Sequence, residues 1–552
     1  MKFKPYEYQE RMVNEVIDKF NSHKRLLMQS PTGSGKTVIF SYLCSKWKNL
    51  YKGKILILCH RTELIEQTAK TVIKFGLTYE KITAGNKKLH HASDIYIAMV
   101  ETLDRRLKNN PMYLKDISIL ISDECHVQTH NKIFDYFPNS KILGVTATPT
   151  ILGKDVYFRC DRCHTTDTEM FDCCGQEAIE WTKPRKLSDV YENIILGPEI
   201  QDLINDGNLV QDICFVEPNS SLSNLEMDSS GDFSNSSQDK AFGNESAVLD
   251  VVLQYEKLSK GRKTIIFNNS TKTNLSVYEE MKSKGYNVRL IDSVNQTDYS
   301  RKDVIKWFAE SEDGVICNVA TLVAGFDEPS CTSIILNMAT TSLSKFIQCA
   351  GRGARTCNTI FKDSFLLIDI GGNIERFNTL SSPRDWRKIF FDGIGEPKPR
   401  KETPLSVSEC SDCGFLFARS QATCPNCGHT EPEKPRKEKT YSDSVLVPLK
   451  PAPLPNGKKI AAYALSRNED IHFCFKVMTE QILDLFRFNL VSKAQYLNNK
   501  NDGRLQKRIS EIVRPVYFAL INTPEFRDDS NRTLKHVIKK TIEKLDRYYG
   551  LS

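Results

Sequence analysis

No stretch of the sequence approaches eighteen consecutive apolar residues, which leaves no candidate for a membrane-spanning helix. The first six residues, Met1-Lys2-Phe3-Lys4-Pro5-Tyr6, have no apolar core of the kind a secretory signal needs. Charge of one sign is also scarce. The 76 Lys and Arg against 69 Asp and Glu leave only +7, which permits an anionic partner such as nucleic acid without demanding one. With 40% hydrophobic and 26% charged residues, neither a wholly disordered nor a fibrous chain is expected. A soluble globular protein without membrane contact is predicted, and 552 residues suit two or three domains. Seventeen cysteines would suggest disulfides in a small secreted chain. Here eight of them gather in two short clusters, which metal binding explains better.

Short β-rich apolar runs at residues 25–29, 54–59, 95–99, 117–122 and 142–145 alternate with helical patterns. A second such series occupies 263–267, 287–291, 314–318, 333–336 and 364–368. This alternation predicts an α/β chain with two parallel-sheet lobes. The expected boundaries are 1–185 for the first lobe, with a Cys-rich insertion at about 155–180, then a connecting segment at 186–245 and the second lobe at 246–395. Residues 217–240, rich in Ser, Asn and Asp, read as a flexible connection. A small cysteine module with charged linkers is expected at 396–440, and a mainly helical region at 441–552.

Ser30-Pro31-Thr32-Gly33-Ser34-Gly35-Lys36-Thr37 sits between an apolar strand and a helical segment, the context that a phosphate-binding loop requires. Glycines let backbone N–H groups close around phosphates at a helix N-terminus. Lys36 would reach the β/γ-phosphates of ATP, Thr37 would hold Mg²⁺, and Thr32, Gly33, Ser34 and Gly35 would line the cradle. Further on, Ile119-Leu120-Ile121-Ser122-Asp123-Glu124-Cys125-His126 is an apolar strand ending in adjacent carboxylates. Phosphoryl transfer to water uses both, Asp123 on the metal and Glu124 on the attacking water.

Together these residues resemble superfamily 2 helicases, with Asp123-Glu124-Cys125-His126 similar to the DECH form of their motif II. Pro5-Tyr6-Glu7-Tyr8-Gln9 resembles the N-terminal Gln motif, in which Gln9 would read adenine. His60-Arg61-Thr62-Glu63-Leu64 with Gln67 resembles motif Ia, Thr146-Ala147-Thr148-Pro149 motif III, and Thr264-Ile265-Ile266-Phe267 with Asn268-Asn269-Ser270 motif IV. Residues 318–329, with Asp327 placed at the nucleotide, resemble motif V of restriction translocases and phage helicases. Gln348-Cys349-Ala350-Gly351-Arg352-Gly353-Ala354-Arg355 matches motif VI, and Arg355 or Arg352 would supply the finger that neutralises transition-state charge when the cleft closes.

The resemblance covers roughly residues 1–390 and implies two RecA-like lobes, ATP and Mg²⁺ as cofactors, and a nucleic-acid track across both lobes. Arg61 and Thr102 in the first lobe and Asn269, Ser270 and Thr321 in the second are its phosphate-contact candidates, each with an alternative as cap, turn or surface residue. The compartment implied is the cytoplasm, that of the host for a phage protein.

Cys410, Cys413, Cys424 and Cys427 form two Cys-x-x-Cys pairs, the spacing of a closed structural zinc ribbon similar to those of prophage helicases. Cys160, Cys163, Cys173 and Cys174 form a second cluster whose adjacent pair departs from that spacing, leaving a second zinc or an unmetallated insertion. Protein partners at either the ribbon or the helical region are open. The leading reading is an ATP-driven DNA helicase or translocase. RNA is the nearest alternative, because base-neutral contacts do not separate the polymers, and a non-hydrolysing nucleic-acid scaffold is the non-enzymatic one.

Overall fold

The computed structural model describes residues 4–393, 407–409, 416–418, 447–449 and 454–549. Within those spans it leaves out 87, 128, 152–153, 161, 164, 168–169, 171, 175, 178, 217–224, 229–230, 296–298, 320–321, 323–327, 489–495, 497–498, 502 and 527–533. The four cysteines at 410–427, together with Thr321 and Asp327, lie outside the described residues.

Lobe 1 holds β1 (Arg25–Gln29), β2 (Lys54–Cys59), β3 (Tyr79–Ile82), β4 (Ile95–Met99), β5 (Ile117–Asp123) and β6 (Lys141–Thr146). After β6 an insertion forms a ribbon of β7 (Lys154–Arg159) and β11 (Ile179–Pro184), with the short strands β8 (Thr166–Asp167), β9 (Asp172–Cys173) and β10 (Gln176–Glu177) at its far end. The chain then returns as β12 (Asn193–Leu196). The lobe 1 sheet runs β12-β1-β6-β5-β2-β4-β3, and every pair in it is parallel. Its strands are apolar on both faces because helices cover both, and two separate cores result.

Lobe 2 comprises β13 (Gln211–Val216), β14 (Thr264–Asn268), β15 (Val288–Ile291), β16 (Val315–Asn318), β17 (Ser333–Asn337) and β18 (Ser364–Asp369), in the order β15-β16-β14-β17-β18-β13. Beyond them lie a two-stranded β19 (Val407–Glu409) and β20 (Leu416–Ala418), and β21 (Val447–Pro448), which adds antiparallel to β13. The described residues from 457 onward form a helical bundle around its own core, including Ile460, Met478, Ile509, Val513 and Leu545.

Three features differ from the sequence reading. β12 belongs to lobe 1 and β13 to lobe 2, so the connecting segment is much shorter than 186–245. Within 217–240, read as flexible, Asn235–Phe242 is a helix whose N-cap Ser234 accepts from the Ser237 N–H. It is fixed by tertiary bonds, with Gln238 Oε1 accepting from the Ala339 N–H at 3.0 Å. Finally, the Trp386–Asp392 helix leaves lobe 2 for lobe 1: Trp386 packs in a lobe 2 core while Phe390 is buried in a lobe 1 core. Among the described residues, no helix is long and apolar enough to cross a membrane.

Candidate active site

A cleft of about 410 Å³ separates the lobes. From lobe 1 come Thr32, Gly33, Gly35, Lys36, Thr37, Asp123 and Glu124, and from lobe 2 Gln348, Arg352 and Arg355. Parallel α/β sheets place ligands at the carboxyl ends of their strands. That is where the loop after β1 and the carboxylates ending β5 stand.

The loop turns at Gly33 (φ 87°) and Gly35 (φ 77°), left-handed positions that favour glycine. Gly35 caps the Lys36–Leu50 helix without any side-chain cap, so the amide-rich helix end faces the cleft, as a bound phosphate requires. Ser34 braces the loop from behind, its hydroxyl 2.6 Å from Ser30 Oγ and 2.7 Å from the Pro31 carbonyl. The Ser34 carbonyl accepts from Gln9 Nε2 at 3.1 Å and from the Tyr8 hydroxyl at 2.7 Å. Gln9 Oε1 accepts from the Tyr6 N–H at 3.0 Å. The structure thus places Gln9 behind the phosphate loop, and it is not among the described residues lining the cleft.

Lys36 Nζ stands 3.9 Å from Glu124 Oε1. Burial and the neighbouring Glu124 charge raise the Asp123 pKa to about 7, partly offset by Lys36. A divalent cation on Asp123 and Thr37 would relieve that cost, so the pair fits Mg²⁺. Burial opposes ionisation of Glu124 too, but the cationic side chains facing it, Lys36 first and Arg352 among them, outweigh it and hold its pKa below the usual value. Glu124 therefore stays a carboxylate, and its Oε2 is buried without a hydrogen-bond partner, an acceptor available to an attacking water.

His126 ties this group to the other lobe. Its Nε2 accepts from Gln348 Nε2 at 3.4 Å, so the neutral ring carries its proton on Nδ1. Nδ1 lies 3.0 Å from Thr146 Oγ1 and 3.5 Å from Glu124 Oε2. Thr146 Oγ1 in turn donates to the Thr148 carbonyl at 3.0 Å. Burial lowers the His126 pKa, which keeps the ring neutral as this chain of bonds needs. Motifs VI, II and III are thereby joined in one path.

The lobes approach closely. A Cβ on Gly351 would come 2.8 Å from Thr32 Cγ2, and one on Gly33 would come 2.6 Å from Leu209 Cδ2. Asn208 and Leu209 line the cleft from the segment entering lobe 2, and Leu64, Gln67 and Thr71 from the Thr62–Lys74 helix. Leu64 and Gln67 belong to the segment that resembles motif Ia, whereas Thr71, Asn208 and Leu209 carry no motif. Their signal is tertiary, since no motif marks a residue brought in by a crossing segment.

Of the phosphate-contact candidates, Arg61 is the half-buried N-cap of the Thr62–Lys74 helix, and Thr102 lies partly buried in the Val100–Asn109 helix. Asn269 and Ser270 are buried, and both donate to Asp239, Asn269 Nδ2 at 2.6 Å; Ser270 also caps the Thr271–Ser283 helix. Their side chains hold the Asn235–Phe242 helix in place. Cys160, Cys163 and Cys174 converge at the end of the β7–β11 ribbon, their sulfur atoms all within 4.8 Å of one another.

Comparison with known proteins agrees with this geometry. Residues 2–151 match the family described as "Type III restriction enzyme, res subunit", and residues 245–357 the "Helicase conserved C-terminal domain". These are the two motor domains of superfamily 2 helicases. The chain is 27% identical over 427 residues to a "51.5 kDa protein" of Lactococcus phage (isolate 7-9), covering 76% of this chain and 81% of that one. It is also 27% identical over 383 residues to "Putative ATP-dependent helicase IRC3" of Saccharomyces cerevisiae, covering 66% of this chain but only 51% of the relative. A solved fragment of "a putative HsdR subunit of a type I restriction enzyme" from Vibrio vulnificus YJ016 shares the fold, with TM-score 0.50 and 21% identity over 69% of this chain and 67% of that one. The pairing of domains is that of ATP-hydrolysing helicases, which fits the paired carboxylates and the lysine in the cleft.

Proposed function

We propose that the helicase couples ATP hydrolysis to movement along, or remodelling of, DNA. The observation that carries the reading is the Gln348–His126 contact, which joins the hydrolytic carboxylate of one lobe to the arginine-bearing helix end of the other. Bound ATP supplies the phosphoanhydride to be cleaved. Lys36 and the loop amides would hold its phosphates, Thr37 and Asp123 would hold Mg²⁺, and Glu124 would orient water. Arg352 and Arg355 complete the charge stabilisation only when the lobes close. Closure then changes the spacing of two grips on a phosphate backbone.

DNA is favoured over RNA by the restriction-enzyme kinship of the first domain. Displacement of a bound third strand from duplex DNA, and of a DNA or RNA strand from matched hybrids, tests this. ATP-dependent displacement on DNA but not on RNA supports the reading, and the reverse makes the protein an RNA helicase.

Zinc belongs to the same proposal. Three thiolates within 4.8 Å fit a tetrahedral Zn²⁺, and Cys174, at φ 54° in the turn between β9 and β10, takes its place through a left-handed backbone. The Cys173 side chain and the 410–427 cysteines lie outside the described residues. Metal analysis should find zinc that falls by one equivalent in Cys160→Ser/Cys163→Ser and by another in Cys410→Ser/Cys413→Ser. Unchanged zinc in the first variant would leave the Cys160–Cys174 insertion unmetallated.

A further inference from the structure

The near neutrality of the chain conceals a strong asymmetry. Residues 454–552 contain 18 Lys and Arg against 11 Asp and Glu, an excess equal to the +7 of the entire protein. Everything before them is balanced. Part of this excess is focused in one place. The Ile471–Phe488 and Leu534–Tyr548 helices leave a groove of about 320 Å³ between them, lined by His472, Lys476, His536, Lys540, Lys544 and Arg547. Glu543 is the one carboxylate among the described lining residues.

The groove continues toward the motor. Lys476 and Lys544 also line a cavity of about 590 Å³ between the bundle and lobe 2, to which Lys260, Arg262, Lys362 and Arg467 contribute. Its carboxylates are engaged: Asp484 pairs with Arg262, Asp363 Oδ2 accepts from Gln481 at 2.8 Å, and Glu480 pairs with Lys544 at 3.2 Å. The bundle is also locked to the end of motif VI. Arg467 donates to the Asn358 carbonyl at 2.7 Å and the Thr359 carbonyl at 3.3 Å, and Tyr463 packs edge-on against Phe361 at 5.2 Å. Asn358 lies three residues beyond Arg355, so the groove travels with the lobe that carries the arginines.

We propose that this groove is a second grip on the phosphate backbone of the nucleic acid, carried by lobe 2 and separate from the track across the motor. The inference rests on the motor reading above. His536, Lys540, Lys544 and Arg547 are spaced to share one helix face over about 16 Å, the rise of roughly five duplex nucleotides. The floor of the groove, Phe475 and Val537, is buried, so the surface offers cations without an apolar anchor. Protein hot spots need such an anchor and a phosphate backbone does not.

Binding of labelled duplex and single-stranded oligonucleotides, followed by fluorescence anisotropy across salt concentration, tests the proposal. Lys476→Glu/Lys540→Glu/Arg547→Glu alters three exposed residues outside the ATP cleft. It should lower affinity at least roughly tenfold near 100 mM salt and make the slope of log K against log salt shallower by about 2 to 3. Its melting temperature and its ATP hydrolysis without nucleic acid should match wild type. Arg504→Glu/Lys507→Glu/Arg514→Glu makes the same charge change on the exposed face of the Arg504–Ile521 helix and should bind nearly as wild type does. Equal losses in both variants, or none in the first, overturn the groove and leave the motor standing. A wild-type protein that binds no oligonucleotide overturns both, and capture of an acidic peptide in place of nucleic acid reassigns the groove to a protein partner.

Discussion

Gln348 in lobe 2 and His126 in lobe 1 meet at 3.4 Å across the cleft, and the same imidazole faces Glu124 and Thr146 on its other side. The contact is made only when the lobes are together, so it can report closure to Glu124, the carboxylate proposed to orient water. It also depends on a neutral ring, which burial enforces.

Breaking that contact should uncouple the lobes without emptying the nucleotide site. In Gln348→Ala and His126→Ala, hydrolysis stimulated by nucleic acid should fall at least roughly tenfold, about 1.4 kcal/mol of transition-state stabilisation, while nucleotide affinity stays within a few-fold of wild type. Equal losses of binding and turnover would mean that the residues merely hold the cleft together.

Gly351 packs against Thr32 with no room for a methyl group. Gly351→Ala should therefore hold the lobes apart, lowering kcat by roughly tenfold or more while calorimetry finds both lobes folded. Full activity in this variant would show that hydrolysis does not need this approach of the lobes.

His130 is fully buried beside Ser122, and burial, then the nearby His60, drives its pKa down to about 3. The unfolded chain holds that proton near pH 6.5. The neutral ring's stability is thus complete above about 6.5 and is lost as pH falls toward 3, at about 1.4 kcal/mol per pH unit. Denaturant titrations should give a shallower acid dependence for His130→Gln than for wild type. Parallel curves would contradict the assignment.

Arg301 of lobe 2 pairs with Glu63 of lobe 1 at 2.9 Å, and both side chains are partly exposed. The double-mutant coupling energy of Arg301→Ala and Glu63→Ala should be below about 1 kcal/mol and vanish at high salt. A coupling of several kcal/mol would make this pair, and not the Gln348–His126 contact, the principal latch.

Local motifs made the nucleotide site readable, because a phosphate loop and paired carboxylates at strand ends dictate their own surroundings. Lys36, Asp123, Glu124, Gln348, Arg352 and Arg355, drawn from segments more than 300 residues apart, do line one cleft. Long-range pairing was less legible. β12 has four residues and owes its place beside β1 to register, which no local pattern encodes. The Asn235–Phe242 helix hides in Ser- and Asn-rich sequence because Asp239 and Gln238 are held by lobe 2 residues far along the chain. Asn269 and Ser270 look like surface phosphate ligands until Asp239 is found bonded to both.

The most direct test of the motor is steady-state ATP hydrolysis by the purified protein, alone and with single-stranded, duplex and forked DNA, beside Lys36→Ala, Glu124→Gln and Arg355→Ala. The two-lobe site predicts hydrolysis stimulated by DNA in the wild type and lost in all three variants, including the one altered only in lobe 2. Hydrolysis that survives Arg355→Ala and Gln348→Ala together would contradict a site completed across the cleft. No hydrolysis with any polymer would make the protein a nucleic-acid-binding scaffold.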